Sequence, residues 1–405
     1  MPNRWTAPRD LVGKFRSPLL RRSGLVSLAV FLLAGCGATS AATHNVASFP
    51  PVARPGAPHQ LAPRPLSGQA LSVLQMGTEF WLAVKTPHGI VATKAQGQHG
   101  TQSTVPSAAA CSAAGGLLPV GSAPMVLGCK HVWTRHDHRW VPTKLPSFLG
   151  GRQDFTIDGS RWWLLGFGAG ASGGEAVNLW GSSRAGRAWH RVAASGNGLT
   201  SSPPGSLPYY GDKTGLAVSP GQHVWLTGIA AGAGRVWLYR SSHGEKTWTP
   251  VSLIVPRAWA LAQLASYPPV WASAHQGYLP VTVDGAKFTG IGVYAANGST
   301  ATWRLAASIP APAVLAASLS LAVATPRSMW ITIGRNLWAS TDGGHDWRAT
   351  WRLTPGWTFA GVSFSGRRDG VLLAMRRHGT TFDYAVWRTT NGGQTWTACQ
   401  PQPSS

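Results

Sequence analysis

Short runs in which apolar and polar positions alternate recur along the chain from about residue 70 to residue 399. Asn336-Leu-Trp-Ala and Ala385-Val-Trp-Arg are two of them, and a period of two marks a strand with one buried face. Outside the first 35 residues no apolar pattern of helical period has any length. The runs are joined by tight polar turns, each closed by a tryptophan with an aromatic nine residues before it. The pairs are Trp180/Trp189, Tyr239/Trp248, Tyr294/Trp303, Trp338/Trp347 and Trp387/Trp396, and a shorter version joins Trp133 to Trp140. Successive closing tryptophans lie 49, 59, 55, 44 and 49 residues apart. Self-similarity at such a period is the signature of a repeat fold.

The two best turns read Ser340-Thr-Asp-Gly-Gly-His-Asp-Trp347 and Thr389-Thr-Asn-Gly-Gly-Gln-Thr-Trp396. In them Asp342 or Asn391 can fold its side-chain oxygen onto backbone N–H groups two residues on. The glycines, Gly344 and Gly393 among them, supply positive φ without a steric penalty. The closing tryptophan opens the return strand and offers a large apolar surface, so burial between neighbouring units is expected.

These turns resemble the Asp-box, or bacterial neuraminidase repeat, family, and most closely its version in propellers like the photosystem II assembly factor. Residues 328–347 follow that pattern almost throughout, from Ser328-Met-Trp-Ile through Ser340, Asp342, Gly344 and Trp347. Thr389, Asn391, Gly393 and Trp396 form the second good copy. The copies at Ser182/Trp189, Ser241/Trp248 and Trp303 are worn, with Arg184, His243 and Gly298 at the Asp position. The resemblance implies an all-β fold, a β-propeller, in which the box residues are structural.

A second repeated element supports blades. Gly77-x-x-x-Trp81-Leu, Gly159-x-x-x-Trp163-Leu and Gly221-x-x-x-Trp225-Leu each open an apolar strand, and Trp330-Ile and Val371-Leu hold the equivalent place later. Four-stranded units arrayed radially make a propeller. Five units are clear between about 155 and 399, and 70–146 holds one long or two short ones. The expectation is a single propeller over 69–400 with six or seven blades, seven preferred, and a short tail at 401–405.

Before it, Arg21-Arg22 precede the apolar run Leu25–Leu33, which stops at Ala34-Gly35-Cys36. The run is too short to span a bilayer but suits the apolar core of a signal peptide over 1–35. Leu33-Ala-Gly-Cys36 resembles the lipobox of bacterial lipoproteins, which implies cleavage between Gly35 and Cys36 and a lipid on the Cys36 sulfur. Residues 36–68, rich in Ala, Pro and Gly, read as a flexible tether. Residues 309–325 are the most apolar later stretch, but Pro310, Pro312, Ser318 and Ser320 make them a buried strand pair and not a span.

Charge is lopsided, with 35 Lys and Arg against 13 Asp and Glu. Removing residues 1–35 leaves 29 basic and 12 acidic residues, or +17. Such a field attracts anions such as lipid headgroups, phosphate-rich polymers and acidic proteins. Adaptation to acidic surroundings is an alternative origin for so few carboxylates. Nucleic acid is not an expected partner, because an exported chain does not meet it and no reading motif is present. Export permits disulfides. Cys111–Cys129 is the simplest pairing, Cys399 is an alternative partner, and one thiol is left over.

Catalytic chemistry is sparse. Sialidases carry a Phe/Tyr-Arg-Ile-Pro strand, which is absent here, and Tyr209-Tyr210 with Asp212 is the nearest substitute for the rest of their site. The carboxylates placed for glycoside hydrolysis are Asp154, Asp158, Asp212 and Asp284; Asp154 and Asp158 share a strand face about 13 Å apart, too far to work as a pair alone. His131, His136, Asp137 and His138 invite a metal, but they fall where a polar hairpin tip is due. No catalytic residue, metal site or cofactor is therefore assigned. The expectation is a monomeric, lipid-anchored extracytoplasmic propeller that binds a protein or an anionic polymer, with a glycoside hydrolase, sialidase-like enzyme or lectin as the alternative. Replacing Cys36 by Ser is expected to block processing and release the protein from the membrane fraction; a mature wild-type N-terminus that mass spectrometry finds unmodified, or elsewhere, refutes it.

Overall fold

The computed structural model describes residues 69–403 except 87–88, 97–98, 107–115, 121–122, 129, 148–152, 172–173, 196–205, 243–246, 299–301, 312–318, 380 and 400–401. All described residues belong to one compact unit, 53–405. Gly35, Cys36, the tether, Cys111 and Cys129 lie outside the described residues. Among the described residues, apart from one 3-10 turn, Arg257–Trp259, every regular element is a strand. Among the described residues no helix is long and apolar enough to cross a membrane.

The strands follow one another in antiparallel four-stranded runs, as alternating patterns joined by short turns dictate. Separate sheets cover 69–105, 117–144, 153–195, 319–352 and 357–399. The remaining strands, 212–310, form one nine-stranded sheet, so five blades stand apart where six or seven were expected. The cause is local. Within the nine strands, the second strand of one run, His223–Ile229, touches the first strand of the next, Gln263–Ser266, through the pair Ile229/Ala265. The ambiguous stretch before 146 resolves into two runs of four strands, each in its own sheet. Residues 309–325 are not a strand pair of one unit: Arg304–Pro310 is the last strand of one run and Leu319–Val323 the first of the next.

Up-and-down order divides the connections between two ends of each unit. Turns after the first and third strands share one end, and those after the second strand and between units share the other. The box turns therefore lie beside the first-strand hairpins, at the turn end.

Apolar side chains meet between consecutive units. Leu74, Trp81 and Ile90 pack with Leu117, Val126 and Trp133. Met125 and Val132 pack with Phe155, Trp162 and Leu164. Trp163 and Leu165 meet Leu216, Val224 and Trp237. Tyr278, Ile291 and Val293 meet Met329 and Ile331. Trp330 and Leu337 meet Phe359 and Leu372. First strands are also stitched by polar contacts: Asp154 Oδ2 accepts Leu216 N–H at 2.6 Å, Thr214 Oγ1 donates to Ser266 O at 2.5 Å, and Val362 N–H reaches Ser320 Oγ at 3.4 Å.

The last unit meets the first. Val371, Leu373, Tyr384 and Val386 pack with Val73, Phe80, Leu82 and Val84. Gln75 N–H donates to Ser363 Oγ at 3.0 Å and Ser365 Oγ donates to Gly77 O at 2.8 Å. Beyond the last unit, Gln402–Pro403 pairs in parallel with the outer strand His99–Val105 of the first. These contacts close the array into a propeller, and the Gln402–Pro403 pairing covers part of the outer edge of the first sheet.

Inside the nine-stranded sheet, Trp225, Trp271 and Trp303 form a cluster with ring centroids 5.4–6.3 Å apart. Trp303 is 1% exposed. Trp303→Ala is expected to cost about 3 to 5 kcal/mol, as for other large aromatic truncations in cores. Trp347→Ala, at a half-buried site, should cost clearly less; an equal or reversed order in urea unfolding counts against this packing.

Candidate functional site

Three box turns share one backbone shape. Gly343 and Gly344 have φ of 84° and 86°, Gly392 and Gly393 have 71° and 80°, and Ala185 and Gly186 have 47° and 77°. Ala185 holds this left-handed conformation with a side chain, which few residues do. What survives in the worn copy is the hydroxyl. Ser182 Oγ accepts Gly186 N–H at 3.0 Å, as Ser340 Oγ accepts Gly344 N–H and Thr389 Oγ1 accepts Gly393 N–H, both at 2.9 Å. A second contact ties each turn to the first-strand hairpin of its own unit. Ala185, Gly343 and Gly392 donate their N–H to Ser160, Arg327 and Arg368 carbonyls at 2.8, 3.2 and 3.0 Å.

The acidic position acts further along the chain than expected. Asp342 Oδ1 accepts the Ser340 hydroxyl at 2.8 Å and the His345 and Asp346 N–H groups at 3.1 and 3.0 Å, three and four residues on. Asn391 Oδ1 accepts the Thr389 hydroxyl and Thr395 N–H at 2.9 and 3.0 Å. For Asp342, burial pushes the carboxyl up, but hydrogen bonds from Asp346, Ser340 and His345 outweigh it and hold the carboxyl low. The aromatic nine residues earlier has its own role: Trp180, Tyr294 and Trp338 each sit at a register shift against the outer strand. Such bulges sharpen the local twist. In Ser241, the Oγ donates to Ser242 O at 3.3 Å, and 243–246 of that turn lie outside the described residues.

Each box turn lies on the preceding unit. A Cβ on Gly344 would meet Met329 and Tyr278, one on Gly393 would lie 2.8 Å from Trp330 Nε1, and one on Gly186 would lie 2.7 Å from Thr143. Of the closing tryptophans only Trp303 is fully buried, whereas Trp189, Trp248, Trp347 and Trp396 are half-buried. They sit at the rim where turn meets neighbour, so part of each ring faces outward. Trp396 packs against Trp351 and Phe364 at 6.3 and 5.9 Å. Trp189 packs against Phe155 at 6.2 Å and donates Nε1–H to Lys144 O at 3.1 Å.

The candidate carboxylates do not converge. Asp158 ends its strand at the turn end, while Asp212 and Asp284 lie at strand termini of the opposite end. Asp154 accepts backbone N–H groups of Phe155 and Leu216. Tyr209 and Tyr210 make an edge contact at 5.9 Å beside Lys213. Lys213 is buried and its Nζ donates to the carbonyls of Tyr209, Gly211 and Glu175 at 2.7, 2.8 and 2.9 Å. Burial pushes its pKa down to about 8, against the pull of Glu175 and Asp212. All three ammonium protons are engaged, so this lysine clasps the connection before Asp212 to the neighbouring hairpin. Sequence reading passed over it, because nothing in the chain marks a lysine as buried.

His131 opens the strand His131–His136 and His136 ends it, so the histidines lie at opposite ends. Asp137 and His138, φ 42° and 67°, form the two-residue hairpin turn that the pattern predicts. Among the described residues no group of acids, histidines or cysteines is arranged to hold a metal. Cys399 carries a free, buried thiol, pushed up by burial.

Clefts at the surface of the described residues include the following two. One, of 430 Å3, is lined by Gln75, Gly77, Glu79, Trp81, Lys94 and Pro119, with Lys94 and Glu79 paired at 2.8 Å. The other, of 520 Å3, lies between the Ser182–Trp189 turn and the strand Arg139–Lys144. Pro142, Lys144, Leu145, Pro146, Arg187 and Trp189 line it.

No protein-family model matches the sequence, and no curated protein matches it. Several solved structures share its architecture. One is the extracellular domain of a proposed one-component system from B. thetaiotaomicron, with TM-score 0.50 and 10% identity over 78% of this chain and 38% of that one. This chain thus spans well under half of that protein. Another is an ulvan lyase of polysaccharide lyase family PL25, bound to -[GlcA(1-4)Rha3S]-, with TM-score 0.50 and 11% identity over 83% and 96%. A sialidase, Hadza microbial Hz136, is more distant, with TM-score 0.45 and 12% identity over 71% and 68%. At these identities the likeness is one of fold alone.

The hydroxyl, not the carboxylate, faces the protein interior. Ser340 is buried, while Asp342 and the N–H groups it accepts are exposed. Ser340→Ala is expected to cost about 1 to 3 kcal/mol, the range for orphaning a buried donor. Asp342→Ala should cost about 0.5 to 1.5 kcal/mol, since water replaces it as acceptor. Its contribution is present at neutral pH and is lost as pH falls through the lowered folded-state pKa. A larger loss for Asp342→Ala in chemical unfolding overturns the ranking.

Proposed function

We propose that the chain is a membrane-tethered, extracytoplasmic seven-bladed propeller of the Asp-box type, whose work is to bind an anionic partner and not to turn over a substrate. The blade count draws on the packing between units. The nine-stranded sheet holds two runs, four strands over 212–250 and five over 263–310, where Gln263–Ser266 and Val270–Trp271 lie on one side of Gln276–Asp284; a single ladder pair joins the runs. Between them lies an apolar cluster of the same kind as between other units, with Trp225 and Leu238 against Leu264, Leu279 and Tyr294. Counting those runs as two gives seven units with a cluster at every junction. The tether and anchor draw on the Leu33–Cys36 motif alone.

The observation that carries the binding reading is the state of the carboxylates. Of 13 acids, Asp10 and Glu245 lie outside the described residues. Glu79, Asp369 and Asp383 are ion-paired with Lys94, Arg388 and Arg376. Asp154, Glu175 and Asp342 accept backbone N–H groups. Asp137, Asp158, Asp212, Asp284 and Asp346 stand at separate turns and strand ends. No two of them line either cleft, as an acid–base pair for hydrolysis must. Cations are in large excess over these acids, and a field of one sign steers anions.

A carbohydrate-active enzyme or lectin on this scaffold is the second reading, favoured by the fold shared with the ulvan lyase. The two are separated by one experiment on the full chain carrying Cys36→Ser. Binding to phosphatidylglycerol vesicles and to polyglycerol phosphate is measured at 0.1 and 1 M salt, where the screening length falls from ~10 to ~3 Å. A steep loss of affinity supports anion binding. Salt-insensitive binding, or turnover of a glycoside or sialoside, moves the assignment to the enzyme.

A further inference from the structure

The Ser182–Trp189 turn breaks its own rule in one direction. Where the Ser340–Trp347 turn carries Asp342 and Asp346, this one carries Arg184 and Ala188, and Arg187 stands in place of His345. Arg184 cannot accept the N–H groups that Asp342 accepts, and Ala185 takes a left-handed conformation that glycine holds elsewhere. A local rule broken without local gain is expected where a site is built. The outcome is a turn that has lost both acids and carries two cations, Arg184 and Arg187, both exposed.

The turn borders the 520 Å3 cleft, a volume within the ~300–1,000 Å3 of small-ligand sites. Its walls are fixed. Gly186 lies against Thr143, Leu145 N–H donates to Lys130 O at 2.8 Å, and Trp189 Nε1–H is held by Lys144 O. Pro142 and Pro146 stiffen the facing wall. Lys144 and Arg187 stand exposed among the lining residues, and no acid lines the cleft. Arg139, Arg184 and Arg191 are exposed on the same two elements or beside them. None of the ion pairs among the described residues involves these five cations. Trp189, half-buried, adds an aromatic surface to the lining.

We propose that this cleft binds an anionic saccharide, with Lys144 and Arg187 taking the carboxylate or sulfate of a sugar unit and the Trp189 ring taking its apolar face. Arg offers a planar fork that matches such oxyanions, and Lys a mobile point charge. The aromatic ring and the cleft's size favour a sugar ring over a bare chain of phosphates. This assignment rests on the reading of the protein as an anion binder and names the class of anion and its seat.

The test uses the full chain carrying Cys36→Ser, with polygalacturonate as the probe and neutral dextran and polyglycerol phosphate beside it. Wild type should bind polygalacturonate more tightly than either comparison polymer. Reversing two charges with Lys144→Glu and Arg187→Glu should weaken it roughly tenfold or more, the scale of losing charge-assisted hydrogen bonds. The same charge change at Arg367→Glu and Arg368→Glu, in the hairpin before Asp369, should cost no more than about twofold, the share of a general field partly screened by salt. Unchanged urea midpoints in both double variants exclude misfolding as the cause. Equal losses from the two reversals overturn the site while leaving anion binding intact. Equal affinity for polyglycerol phosphate overturns the saccharide assignment. Absence of salt-sensitive binding to any polyanion overturns both.

Discussion

A four-stranded sheet with apolar side chains on both faces can bury neither face by itself. In this protein each face is covered by the next unit, and the array closes when Val371, Leu373 and Val386 meet Val73, Phe80 and Leu82. Everything else depends on that closure. Large side chains such as Trp163 and Trp330 have to reach across to the neighbouring unit, and first strands approach closely enough for Asp154 to take a neighbour's N–H. The parallel pairing of Gln402–Pro403 with His99 and Gly100 ties the two ends of the chain into the same ring.

The box turns serve this packing. Their double left-handed backbone brings main chain against the preceding unit, where a Cβ on Gly393 or Gly186 would collide with Trp330 or Thr143. The buried hydroxyl of Ser182, Ser340 or Thr389 and the clasp to the adjacent hairpin hold that shape. The carboxylate is an outer brace. That division explains how the third unit tolerates Arg184 at the acidic position: the inner supports remain, and the outer position is released for other chemistry. A repeat can thus wear at its rim without losing its fold, and the worn rim is where a cleft with exposed cations lies.

Electrostatics and architecture point the same way. So few carboxylates, most of them occupied by ion pairs, backbone donors or turns, leave the surface cations without compensation. The proposed role as a tethered binder of anions follows from that imbalance, and the proposed saccharide seat localises it to one junction between units.

From the sequence alone, the all-β class, the propeller and the position of the box turns were legible, because a period of two, a recurring tryptophan and Gly-rich turns are local properties of the chain. The hairpin at Asp137 and His138 was legible for the same reason. Tertiary structure alone decided which partner each residue meets. It buried Lys213 against the Glu175 carbonyl of the preceding unit and fused two runs of strands at Ile229 and Ala265. It also left Trp347 half-open at the rim while burying Trp303. Those outcomes depend on how one unit sits against the next, and contacts between residues 52 to 288 positions apart leave no periodic trace in the chain.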